Sequence, residues 1–109
     1  MAVNEHRPSP ADVKFQVMPG GTDSCATYVF GDEDHTLGNA LRHVLMERSD
    51  VEFCGYSVPH PSEPKMNLRV QTTGAPALKV LKLALKDLSQ LCDILDDRVE
   101  AEVVQQPND

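Results

Sequence analysis

At 109 residues the chain is long enough for one small domain with a modest core, and its 40% hydrophobic and 25% charged content is that of an ordinary globular protein. Lys and Arg total 10 against 17 Asp and Glu, a formal net charge of −7, which argues against a domain that grips phosphates through a basic stripe. There is no apolar run near ~18 residues to span a membrane and no Cys-x-x-Cys pair among Cys25, Cys54 and Cys92, so a soluble, reduced, intracellular protein without a signal peptide is expected.

Residues 1–12 are polar, carry Pro8 and Pro10, and are expected to form a flexible tail. Val13, Phe15 and Val17 alternate with Lys14, Gln16 and Met18, the pattern of a short strand. Pro19-Gly20-Gly21-Thr22-Asp23 is a turn cluster. Cys25 to Phe30, rich in β-formers, is the second strand of a hairpin. Asp32, Glu33 and Asp34 then set negative charge at a helix start, where Asp34 or Thr36 can cap free N–H groups. Leu37, Ala40, Leu41, Val44 and Leu45 share one face of that helix, predicted over 36–48. Ser49-Asp50 end it, and Val51 to Val58 form a third strand.

Three prolines between Pro59 and Pro64 impose a stiff loop. Met66, Leu68, Val70 and Thr72 alternate with Lys65, Asn67, Arg69 and Gln71, a strand with one buried and one polar face. Gly74 ends it, and Pro76 suits the first turn of a last helix over 76–104. Residues 105–109 are expected to be a second tail. The order ββαββα predicts a two-layer α+β domain over 13–104, with both helices on one face of a four-stranded, mainly antiparallel sheet.

The last helix asks for a partner. Leu78, Leu81, Leu85, Leu88, Cys92, Leu95 and Val99 step alternately by three and four, a heptad-like seam, with Val80, Ala84, Leu91 and Ile94 as a second flank. Such a helix runs roughly 43 Å at about 1.5 Å per residue. A compact domain of this size has a radius of gyration near ~13 Å and a diameter near ~34 Å, so the last turns should overhang, and apolar residues there need cover from another chain. Lys79, Lys82 and Lys86 precede Asp87, Asp93, Asp96, Asp97, Glu100 and Glu102. That polarity opposes the helix dipole, which acts only on the end turns; it is read as a solvated face, with a complementary partner as the alternative.

No catalytic, cofactor or metal site is expected. Asp32, Asp34 and His35 match no calcium or zinc spacing and read as cap charges with a surface imidazole. His60 lacks an orienting partner for general-base work. Cys54 lacks the nearby base that a nucleophile needs and reads as a small core residue. Gly31 and Gly38 form no phosphate-binding spacing. Gly38 within a helix costs about 1 kcal/mol against Ala, and close approach by another backbone is one use for it. Arg42 is either a bridge to a partner or a free surface arginine.

The wording of three segments resembles one family, in the right order. Asp34 to Arg42 resembles the signature of the alpha-like subunits of multisubunit RNA polymerases. Phe53-Cys54-Gly55-Tyr56-Ser57-Val58-Pro59-His60-Pro61 and Leu68-Arg69-Val70-Gln71-Thr72 resemble the strands and loop that follow in the small members, over about residues 24 to 99. Cys54, Ser62-Glu63 and Asn67-Leu68-Arg69 are similar to the branch shared by RNA polymerases I and III. The polymerase II counterpart usually has alanine at the Cys54 position. His43 stands where bacterial alpha subunits tend to carry a second arginine, so that arginine's contacts are not carried over.

The resemblance implies an alpha-like dimerisation fold and a non-catalytic assembly subunit in the nucleus, including the nucleolus. Its partners would be a larger alpha-like subunit, in a heterodimer, and the second-largest polymerase subunit, with no direct nucleic-acid or membrane contact and the active site on other chains. Leu37, Gly38, Leu41, Arg42, Leu45, Leu81, Leu85, Leu88, Cys92 and Leu95 are the expected interface, sharing the core and the partner seam in a division that spacing leaves open. The alternatives are a polymerase II or archaeal counterpart, or a homodimeric regulatory module.

Overall fold

The computed structural model describes residues 14–105. The elements are β1 (Phe15–Val17), β2 (Cys25–Gly31), α1 (His35–Met46), β3 (Val51–Ser57), β4 (Lys65–Thr72) and α2 (Ala77–Gln105). The expected tails at 1–12 and 106–109 lie outside the described residues. Gln105, assigned to the second tail from sequence, is instead the last residue of α2.

All strand pairs are antiparallel, in the order β1-β2-β4-β3. β4 is central and shows it. Met66, Leu68, Val70 and Thr72 are buried, while Lys65 and Arg69 on the opposite face are exposed. Alternation of this kind buries one sheet face and solvates the other. Both helices cover the buried face: α1 lies chiefly on β3, and α2 crosses β4 and β2. Tyr28, Leu41, Leu45, Met66, Leu68, Val70, Val80 and Leu81 are the largest fully buried side chains, an almost entirely aliphatic core.

Local chemistry sets the boundaries. Asp34 is the N-cap of α1, with extended backbone, and its Oδ1 accepts the Thr36 N–H at 3.0 Å. Pro76 sits just ahead of α2, and its carbonyl accepts the Val80 N–H at 3.1 Å. β3 carries a bulge between Val51 and Phe53. The extra residue shifts the alternation, so Val51 and Cys54 both face the core while Phe53 is 48% exposed on the open face.

Neither helix covers β1. Phe15 lies opposite Phe30 and stacks on Tyr28, with ring centroids 5.8 Å apart. Phe15 and Val17 stay exposed on the helix side of the sheet.

Candidate partner interface

The first three turns of α2 belong to the domain. Ala77, Val80, Leu81 and Ala84 are buried against the sheet, and Leu85 and Leu88 are half-buried at its margin. From Ser89 to Gln105 every residue is exposed. The apolar seam nevertheless continues in phase through Leu91, Leu95, Val99 and Val103, with exposures rising from 41% at Leu91 to 67% at Val103. Among the described residues nothing buries that stripe.

An open groove of ≈ 430 Å³ separates α1 from α2 and is lined by Asn39, Ala40, His43, Val44, Leu88 and Leu91. It continues past Glu47 and Asp87 to Ile94. The groove and the overhanging stripe form one mixed surface, apolar along α2 and polar along α1.

The structure divides the expected interface residues. Leu41, Leu45 and Leu81 are 0%, 0% and 1% exposed. They are core residues closed over by their own sheet, which corrects their assignment to a partner surface. Gly38 is buried beneath the Tyr56 ring, and a Cβ there would overlap it. The close neighbour of Gly38 is therefore a side chain of β3, which replaces the reading of close approach by another backbone. Leu37, Leu85 and Leu88 are half-buried against the core. Arg42 is exposed and makes no ion pair among the described residues. Cys92 and Leu95 lie on the overhang.

The expected list omits Leu91, Ile94, Val99 and Val103, which are open to a partner. Val99 belongs to the stepped seam and Val103 extends it by four residues, while Leu91 and Ile94 belong to its second flank.

His35, Asp32 and Asp34 have structural partners. His35 Nδ1 lies 3.0 Å from the Tyr56 hydroxyl, with the two rings edge to face. Asp32 pairs with Lys14 at 3.6 Å. No cluster able to hold a metal ion occurs among the described residues. Burial pushes the Cys54 thiol up to about 11, the opposite of what a thiolate nucleophile requires. Arg48 holds the carboxyl of Asp50 below the usual carboxylate range through a two-point hydrogen-bonded pair.

A family model described as the RNA polymerase Rpb3/Rpb11 dimerisation domain matches residues 25–98, from β2 to beyond the middle of the overhang. The chain belongs to the Rpb3/Rpb11 dimerisation family. Among its relatives in that family, the DNA-directed RNA polymerases I and III subunit RPAC2 of Saccharomyces cerevisiae is 54% identical over 74 residues, 67% of this chain and 52% of the yeast protein. RPAC2 of Schizosaccharomyces pombe is 47% identical over 91 residues, covering 81% of this chain and 73% of that one. The chain thus spans about half the length of the first relative and about three quarters of the second. DNA-directed RNA polymerase subunit L of Thermoplasma acidophilum has the same fold, with a TM-score of 0.68 at 20% identity, over 81% of this chain and 86% of that one.

Proposed function

We propose that this chain is a non-catalytic assembly subunit of DNA-directed RNA polymerases I and III. It heterodimerises with a larger alpha-like subunit, and the pair docks the second-largest subunit to build the platform for transcription of ribosomal and small structural RNAs. The active site and its metal lie on other chains, and the complex works in the nucleus and nucleolus.

The observation that carries this reading is the overhang. The exposed seam of Leu91, Leu95, Val99 and Val103 is a second binding surface grown directly out of the core-forming face. A dimerisation domain of this family uses a like domain as its cover. The choice of polymerases I and III rests on the names of the relatives and on Cys54 within Phe53-Cys54-Gly55-Tyr56.

The test is co-expression with the larger alpha-like subunit of polymerases I and III, and separately with that of polymerase II. A soluble one-to-one complex with the first and not the second is expected. A stable homodimer of the chain that ignores both would overturn the reading in favour of a self-contained module.

A further inference from the structure

Arg48 stands at the junction of four elements. It follows α1, and its Nε and Nη2 donate to the two carboxylate oxygens of Asp50 at 3.0 and 3.1 Å. The Asp50 carbonyl in turn accepts the Thr73 N–H at the end of β4. The remaining arm of the guanidinium, Nη1, donates to Asp87 Oδ2 of α2 at 2.9 Å. Asp87 is two residues ahead of the point where α2 leaves the domain, since Ser89 begins the fully exposed stretch. The same aspartate lines the groove between the helices, beside Leu91 and Ile94.

We propose that Arg48 is a positioning residue: it brackets α2 at its point of departure and fixes the angle at which the overhang leaves the sheet. The planar fork suits this task, because it fixes direction as well as distance to two carboxylates. Leverage makes the angle consequential. The overhang is roughly 25 Å long at about 1.5 Å per residue. A tilt of about 10° at its base moves its tip by roughly 4 Å, about half the ~8–10 Å spacing of packed helices. That is enough to lift Val99 or Val103 out of a partner's groove. The pair is half-open to solvent, with side-chain exposures of 22% and 49% for Arg48 and Asp87, so its contribution to the domain's own stability is small. Its effect falls on how often the overhang points in the binding direction. Loss of a pair of this strength can lower that competent fraction by up to about fivefold, so the apparent Kd rises about two- to fivefold with no partner contact removed.

The inference rests on the overhang being a partner surface, and two readouts separate the ideas. Spin labels at Glu100→Cys and Ser57→Cys, in the full chain with Cys25→Ser and Cys92→Ser, report the overhang angle without a partner. Binding to the co-expressed larger alpha-like subunit reports the consequence. Wild type should give one narrow distance distribution. Asp87→Asn and Arg48→Met should broaden it and weaken binding about two- to fivefold, while the thermal midpoint stays within about 4 °C of wild type for Asp87→Asn. Arg48→Lys should restore part of both effects. Asp93→Asn, which removes the same charge beyond the bracket, should leave the distances unchanged. Equal distributions in wild type and Asp87→Asn would overturn the proposal, as would equal broadening by Asp93→Asn. Absence of any wild-type complex would defeat the functional reading and leave the distances to decide this one.

Discussion

Leu95 and Leu81 occupy the same seam of α2, four turns of one continuous helix apart from end to end of the core–overhang boundary, yet Leu95 is 56% exposed and Leu81 only 1%. Leu95→Ala and Leu81→Ala should therefore divide stability from association. Full burial of a leucine side chain is worth about 1.5–3 kcal/mol. With over half of Leu95 left for a partner to cover, its truncation should cost about 1–2 kcal/mol of binding, or roughly 5- to 30-fold in Kd. The free domain should change by no more than about 0.5 kcal/mol, as at other surface positions. Leu81→Ala opens a cavity in the buried core cluster and should cost about 2–5 kcal/mol of folding stability, a drop of about 10 °C or more in Tm. Thermal unfolding of each variant, with titration of the larger alpha-like subunit, checks both. Equal losses of Tm with unchanged binding in Leu95→Ala would refute the division.

Other consequences follow from the same geometry. Gly38→Ala gains about 1 kcal/mol of helix propensity but drives its Cβ into the Tyr56 ring, where overpacking costs about 1–3 kcal/mol, so a net loss of up to about 2 kcal/mol is expected; a double-mutant cycle with Tyr56→Leu should show most of that loss relieved. Asp50 titrates below the usual carboxylate range in the folded chain because Arg48 pairs with it, so its contribution is complete above the ordinary carboxylate pKa and is lost as pH falls through the depressed folded value; Tm measured against pH should show a step in that acid range that Asp50→Asn flattens. Cys54 has its thiol pushed up to about 11 by burial, while Cys92 is exposed; mass spectrometry after iodoacetamide at pH 8 should find Cys92 alkylated and Cys54 untouched, and any stability that Cys54 adds as a neutral thiol is lost as pH rises through that folded value.

Local rules carry far in this chain. Asp34 is legible as a cap because its short carboxylate reaches the Thr36 N–H, and β4 is legible because its alternation is unbroken over Lys65–Thr72. The bulge in β3 is not written in its composition, and it decides that Cys54 rather than Phe53 faces the core. The role of Gly38 depends on Tyr56, a neighbour only once β3 has folded under α1. The largest gap concerns α2. Leu81 and Leu95 are equivalent in a heptad pattern, and only the place where the sheet ends, just past Leu88, makes one a core residue and the other open surface. Family wording supplied the expected partner; the three-dimensional fold supplied the residues left open to one.

The most direct test of the central claim is native purification of the tagged chain from cells, with the co-purifying subunits identified by mass spectrometry. The account predicts the larger alpha-like subunit together with the largest and second-largest subunits of both RNA polymerase I and RNA polymerase III. Recovery with the largest subunit of polymerase II, or of the chain paired only with itself, would contradict it.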